Sequence, residues 1–516
     1  MEKENTRTFE TRMPHKPHTV EVLNEYAALF SYLKHRLFAD IAAGKSPGEL
    51  KNDYLLAFGI TARQFNSLRV LIEGKIASSK ELLLLTISNL KERIKSLTKR
   101  IKRLQKTKSD PNTIHQKKRR LENLEQKLSS NIEDHKNGIV RCCFGGKKLF
   151  NAQFNLKEND YSSHEEWLED WKEARSRELF FLGSKDEASG NQTCTATVQP
   201  DQTIELRIRL PNALEKYGKY LIIPDISFQY GKEELHSLLT GDTPQAISWR
   251  LKRDKKGWRI FATFDVQPAA CTSEQNIGVI GLDINVDHLA LVETDRFGNP
   301  ISTETIPYSL YGKSSDQAKA IIGNATAAAV AFAERTNKPL IFEDLDFQKK
   351  KSQLRENRTS YARMLSSFSY ASIITHLKSR ALKEGVYFQQ VNPAYTSVIG
   401  RVNYAVRYGL SIHLAAALTI GRRYLRFSEK VPSNLSKITD GKDGHVTLTL
   451  PARNRGKHVW STWSHLSKKL RTALAAHFRT AKSRSKSSPK PAFVTEPISD
   501  VAGGTPARES SELLLA

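Results

Sequence analysis

Apolar residues recur three and four positions apart through Ile87, Leu90, Ile94, Leu97, Ile101 and Leu104, which is one stripe along a helix. Such a stripe demands a partner. Ser109-Asp-Pro-Asn112 breaks the helix, and Ile114, Leu121, Leu124 and Leu128 resume the pattern, so residues 80–134 are expected to form an antiparallel helical hairpin. Upstream, a helix is expected over about residues 20–43, ended by Lys45-Ser-Pro-Gly48, and a second helical region begins near Thr61. Thr8 to Met13 alternate, as a lone strand donated to a later sheet would.

The period changes near Ile139. Ile204, Leu206, Ile208 and Leu210 alternate with Glu205, Arg207 and Arg209, the mark of a half-exposed strand. Residues 246–252 and 258–266 read as two further strands joined by the turn Arg253-Asp-Lys-Lys-Gly257. An acidic, Trp-containing helix over about 165–178 interrupts this antiparallel β module. Trp249 and Trp258 suit either a strand core or stacking on bases.

From Ile277 the expected order is three strands (277–284, 288–294, 301–306), a helix (315–337), a strand (339–345), a helix (361–384), a strand (386–391) and a helix (411–426). That is the order of the RNase H type of α/β fold. Asp283 interrupts a branched apolar run that reads as a strand buried on both faces. A carboxylate there either caps the strand end or needs a cation, because burial of an unpaired charge is costly. Beyond Val431, a strand is expected at 445–450 and an amphipathic helix over 460–478; from Ala481 the Ser, Pro, Lys and Gly content predicts a disordered tail.

Charge adds a partner to this picture. Eighty Lys and Arg against 55 Asp and Glu leave a net charge of +25 over 516 residues, which points to a polyanion, with nucleic acid first. The hairpin concentrates that charge in Lys99, Arg100, Lys102, Arg103, Lys117, Lys118, Arg119 and Arg120, the expected phosphate-contacting surface; Arg250 and Lys252 extend it onto the β module. No apolar run approaches the roughly 20 residues of a spanning helix, and the first residues lack a signal-peptide core, so a cytosolic protein with no membrane partner is expected. Cys142, Cys143, Cys194 and Cys271 contain no C-x-x-C, so no zinc is expected.

Asp283 and Glu343 lie on the first and fourth strands of the expected sheet, which the fold sets side by side. Paired carboxylates raise each other's pKa unless a divalent cation neutralises them. Mg²⁺, which prefers oxygen ligands and keeps waters, suits such a pair and phosphodiester hydrolysis.

Gly-Leu-Asp-Ile-Asn at 281–285, Phe-Glu-Asp-Leu at 342–345 and, most specifically, Asn-Pro-Ala-Tyr-Thr-Ser at 392–397 resemble the TnpB proteins of insertion sequences. These are transposon-encoded, RNA-guided relatives of type V CRISPR effector nucleases. The resemblance covers about residues 277–425 and is architectural before that. It implies a multidomain α+β chain: a first wedge strand (1–16), a helical recognition domain (17–138) inserted into a β-barrel wedge domain (139–270), and an RNase H-like (RuvC) nuclease domain (271–430), followed by a C-terminal extension (431–480) and the tail (481–516).

The implied activity is RNA-guided DNA cleavage in the prokaryotic cytosol or nucleoid. The implied partners are a guide RNA, duplex DNA and the displaced single strand. Lys349, Lys350, Arg355 and Arg358 would hold strand backbone near the site. This chain departs from the family twice: it lacks the four-cysteine ribbon, and His413-Leu-Ala-Ala-Ala417 stands where the third catalytic Asp is expected. His413 is either the third metal ligand, favouring Mn²⁺ over Mg²⁺, or an ordinary helix residue at a degraded site. A guide-dependent DNA-binding regulator that does not cut, and a strand-joining transposase, are the alternative functions.

Overall fold

The structure, a computed structural model, describes residues 6–187, 190–241, 245–267, 269–274, 276–344, 370–432, 436–441, 444–450, 456 and 458–487. Its first strand, β1 (Thr6–Arg12), leads into α1 (Pro17–Ala42), α2 (Pro47–Phe58), the long α3 (Ala62–Lys106) and α4 (Pro111–Lys136). α3 starts on a capping box, with Thr61 accepting from the Gln64 amide and the Gln64 side chain accepting from that of Thr61. Asp110 caps α4 after the break at Ser109-Asp-Pro-Asn112. α2 is not expected from the sequence, because Pro47 and Gly48 look like a terminator; Pro47 instead occupies the first helical turn, where its missing N–H costs nothing.

Short helices α5 (Lys147–Ala152) and α6 (His164–Arg175) precede β2 (Glu178–Phe181), so the acidic helix stops at Arg175 and Glu178 belongs to a strand. β3 (Cys194–Val198), β4 (Ile204–Arg209) and β5 (Tyr220–Ile226) form one antiparallel sheet. α7 (Lys232–Thr240) leads to β6 (Ser248–Asp254) and β7 (Gly257–Asp265), which join a second sheet of order β1-β7-β6-β2. The N-terminal strand thus pairs along its whole length with β7, Thr6 opposite Asp265.

Side-chain packing, not strand pairing, joins the two sheets, and among the described residues they close no hydrogen-bonded barrel. Leu23, Phe30 and Leu37 of α1 and Phe65, Leu68 and Ile72 of α3 share one core with Leu179, Trp249 and Ile260 of the larger sheet and Leu206 of the smaller. Trp249 and Trp258 are wholly inside that core, which excludes them as base-stacking platforms. The outer half of the hairpin has its own seam of Leu90, Leu97, Ile101 and Leu124.

The second half of the chain builds a five-stranded sheet from β8 (Ile280–Ile284), β9 (His288–Thr294), β10 (Pro300–Pro307), β11 (Leu340–Glu343) and β12 (Phe388–Val391). Its order is β10-β9-β8-β11-β12; the first three strands form an antiparallel meander, and β11 runs parallel to both β8 and β12. This is the arrangement expected of the RNase H type. α8 (Ser315–Arg335) and α9 (Tyr370–Lys383) cover one face against Ile280, Leu282, Leu340 and Phe342. α10 (Thr396–Gly400), a π-helical turn (Arg401–Ala405) and α11 (Ile412–Tyr424) lie on the other side. With helices on both faces, the inner strands β9 and β11 are nearly continuous buried runs, whereas the edge strand β10 alternates.

Beyond Val431, β13 (Ser436–Thr439) and β14 (His445–Leu448) form a hairpin, and α12 (Val459–Ser487) closes the described chain. Ile438, Val446, Trp463 and Leu466 pack with Ala415, Ala417 and Leu418 of α11, so this extension is an outer layer over that helix. α12 continues past Ala481, where composition predicts a tail, and ends at Ser487. Among the described residues, no helix is long and apolar enough to cross a membrane.

Candidate active site

Strand parity decides which side chains meet. On β8, Ile280 and Leu282 point to one face, so Gly281 and Asp283 take the other. On β11, Leu340 and Phe342 share the first face, leaving Ile341 and Glu343 on the second. The register pairs Ile341 with Gly281 and Phe342 with Leu282, and one further step sets Glu343 beside Asp283. Two carboxylates distant in sequence therefore end adjacent strands on the face that α11 covers.

α11 can approach this face because its contact stripe is nearly bare. His413, Ala417 and Gly421 recur every four residues and so share one side of the helix. A Cβ on Gly281 would lie 2.0 Å from the Ala417 carbonyl oxygen, and one on Gly421 would lie 3.0 Å from Val279. Glycine at both positions lets backbone touch backbone and carries His413 onto Asp283, with His413 Nδ1 3.2 Å from Asp283 Oδ2. A carboxylate only accepts, so Nδ1 carries a proton in this contact, and in the neutral imidazole the lone pair is on Nε2. The imidazole is partly open, with its side chain 39% exposed against 14% for Asp283.

Two neighbours complete this end of the site. Asn285 Nδ2 donates to Asp283 Oδ2 at 3.1 Å and also lies 3.3 Å from His288 Nε2. His288 Nδ1 donates to Asp287 Oδ1 at 2.7 Å, and its ring meets His413 edge to face with centroids 4.8 Å apart. A polar chain thus runs Asp287, His288, Asn285, Asp283, His413. Asn285 and His288 bracket the two-residue turn between β8 and β9, where the Asn285 amide donates to the His288 carbonyl at 3.0 Å. Asn285 ends the Gly-Leu-Asp-Ile-Asn string at 281–285, but nothing there assigns it a role, and His288 is signalled only by the Asn-x-Asp-His spacing across a tight turn.

Glu343 is only 9% exposed and sits in a different environment. Its Oε1 accepts a hydrogen bond from the Thr396 hydroxyl, and its backbone oxygen accepts from the Tyr370 hydroxyl at 2.7 Å. Burial pushes the Glu343 carboxyl up to about 7; the Thr396 bond opposes this, the Asp283 charge adds to it, and Arg423 opposes it. Thr396 is held by the preceding loop, whose Asn392 and Ala394 carbonyls both accept from the Arg423 guanidinium. The Asn392–Ser397 string therefore serves to present one hydroxyl to Glu343, and Arg423, which nothing in the sequence singles out, anchors it from α11.

The donor set fits a divalent cation in type: two carboxylates and an imidazole, with the Glu343 carboxyl pushed up to about 7 chiefly by burial and in smaller part by the Asp283 charge. A cation between the carboxylates would offset that repulsion and favour the ionised form. Among the described residues, no group of three or more His, Cys, Asp or Glu is gathered closely enough to hold a metal.

The basic residues divide into three groups. Lys99, Lys102, Arg103, Lys118, Arg119 and Arg120 are exposed on the hairpin, while Arg100 and Lys117 are partly covered. Arg250 and Lys252 lie on β6, where Arg250 pairs with Glu178 at 3.3 Å. Lys349, Lys350, Arg355 and Arg358 lie outside the described residues.

No family model matches the sequence, and no curated protein matches it. Among solved structures, the chain is similar to RuvC of T. thermophilus in complex with Holliday junction substrate, at 19% identity and a TM-score of 0.21, covering 29% of this chain and 95% of that one. It is also similar to a CRISPR-Cas12f ternary complex solved by cryo-EM, at 11% identity and a TM-score of 0.20, covering 81% of this chain and 98% of that one.

Proposed function

We propose that this protein is a metal-dependent DNA endonuclease of TnpB type, directed by a guide RNA. The observation that supports it most is the pairing of Asp283 with Glu343 at the ends of adjacent strands, with Glu343 held up at about 7. Asp283, Glu343 and the free Nε2 of His413 would hold Mg²⁺ or Mn²⁺. When bound, the cation would lower the pKa of a water nucleophile and offset charge on the phosphodiester. Asn285 orients the Asp283 carboxylate, Thr396 orients that of Glu343, and the half-open imidazole edge leaves a path for a strand. The sheets and helices before Ile277 would form the wedge and recognition parts, and the +25 charge would hold the nucleic acids.

One observation favours a second reading, a guide-dependent DNA-binding protein that does not cut. His413 supplies no negative charge where a third carboxylate would, and it already contacts an oxygen of Asp283. Cleavage of a labelled duplex by the purified protein with its co-purifying RNA, in Mg²⁺ and in Mn²⁺, separates the two. Guided binding without cutting selects the second reading. Cutting that survives Asp283→Ala unchanged overturns the site, and the absence of any defined RNA overturns both readings.

A further inference from the structure

Away from the carboxylates, a cavity of about 400 Å³ opens where the helices meet the larger β sheet of the first half. Its wall gathers Lys34 from α1, Lys75 from α3, Arg175 from the end of α6, Arg177 just before β2 and Lys252 from β6, against one carboxylate, Glu178. Five cations from separate elements converging on one acid is an excess that intramolecular pairing does not explain. None of Lys75, Arg175, Arg177 or Lys252 has a carboxylate within ion-pair distance among the described residues.

Lys34 is the unusual member. It is 5% exposed, and its ammonium stands 3.9 Å from Glu178, too far for a hydrogen bond. Glu178 is also shared with Arg250. Burial lowers the Lys34 amine to about 8; Glu178 opposes this, and Lys75, Arg175 and Arg250 add to it. A long, entropically costly side chain is thus held inside with its charge poorly matched, aimed into an open cavity.

The surroundings are built to keep it that way. Arg175 gives its Nε to His35 Nε2 at 2.9 Å, which fixes the guanidinium at the rim and leaves its other N–H groups free of that contact. Gly145 has a φ of +90°, which favours glycine, and a Cβ there would lie 3.0 Å from both the Arg175 stem and the Trp171 ring, crowding the arginine. Lys75 is steadied 4.0 Å over the Phe144 ring.

Lys252 lines a second cavity too, about 450 Å³ on the outer face of the sheet, beside the partly exposed rings of Phe180 and Phe261. Arg250 lies 5.3 Å over Phe180. The two cavities adjoin at Lys252, one side mainly cationic and the other carrying the aromatic rings. Such a combination suits a chain of alternating phosphates and planar bases.

We infer that the Lys34 cavity is a phosphate-binding subsite for a single-stranded nucleic acid, whose next nucleotides pass Lys252 and stack on Phe180 and Phe261. The subsite rests on the nucleic-acid partner proposed above and not on cutting. An RNA or a DNA strand would present the same phosphate.

Full-length protein stripped of nucleic acid, in chelator and at low salt, is titrated with labelled oligouridine and oligodeoxythymidine, which distinguish the two sources. Lys75→Ala/Arg177→Ala and, separately, Lys252→Glu are expected to weaken binding of one or both by about tenfold, and to reduce the salt slope by about 0.7 for each phosphate no longer neutralised. The exposed pair Lys313→Ala/Lys319→Ala, distant in the fold, is expected to bind as wild type. Acetylation of Lys75 is expected to be blocked by the oligonucleotide that binds and not by inorganic phosphate at the same concentration. Lys34→Met should mimic the loss if it folds, and the rim variants at half-buried Lys75 and Arg177 and at exposed Lys252 carry the test if it does not. Wild-type binding unaffected by the rim variants, or equal loss in the control pair, overturns the subsite alone. A wild type that binds neither oligonucleotide overturns the nucleic-acid reading as well.

Discussion

His413 Nδ1 lies 3.2 Å from Asp283 Oδ2, a contact between residues 130 apart in sequence. It joins the ends of a strand and a helix that touch through Gly281 and Gly421, and it fixes which imidazole nitrogen remains free. Catalytic contribution by that nitrogen has a direct consequence. His413→Ala should slow single-turnover cleavage by at least about 10–100-fold, the usual cost of removing a group that orients a metal ligand. His413→Asp should cut at least as well as wild type in Mg²⁺. Wild-type rates from His413→Ala would move the third ligand elsewhere.

Glu343 makes stability depend on pH in metal-free protein. Its carboxyl is raised from 4.5 to about 7 in the folded state, so the native protein holds the proton more tightly than the unfolded chain. The resulting stabilisation is complete below the unfolded pKa and is lost as pH rises through about 7. The urea midpoint in chelator should therefore fall across that window. Glu343→Gln should flatten the fall and exceed wild type above it. Mn²⁺ should restore wild type at the alkaline end and leave Asp283→Ala unchanged.

Gly281→Ala places a methyl group 2.0 Å from the Ala417 carbonyl oxygen. Backbone must move, and overpacking of this kind costs about 1–3 kcal/mol. The displaced element is α11, so cleavage should fall further than the loss of folded protein accounts for. Denaturant unfolding and cleavage measured on one preparation test this; full activity with normal stability would contradict the close approach.

The hairpin charges should act without sequence preference. Replacing Lys102, Arg103, Lys118 and Arg119, all exposed, with Gln should weaken nucleic-acid binding on every sequence and reduce the salt slope by about 0.7–0.9 for each phosphate that the variant leaves unneutralised. Circular dichroism should remain helical, because the seam of Leu90, Leu97, Ile101 and Leu124 is untouched. An unchanged salt slope would make these residues a solvated face.

What the chain settles locally is legible from it. The four-residue stripe specifies α3 and α4, the turn chemistry of Ser109–Asn112 specifies their reversal, and period-two alternation fixes which strand residues share a face. That last rule already commits Gly281 with Asp283, and Ile341 with Glu343, to common faces. Charge is equally legible as a sum, but composition misleads over α12, where Ser and Lys do not stop the helix at Ala481.

Tertiary structure alone decides what those faces meet. Nothing near Thr6 names β7 as its partner, and nothing near Thr396 names Glu343. Lys34 reads as an ordinary polar position of an amphipathic helix until α3, α6 and β6 enclose it. The physical reason is that periodicity encodes direction within one element, over a few residues. Proximity between elements depends on how closely backbones pack, and here it turns on the absence of single Cβ atoms at Gly145, Gly281 and Gly421.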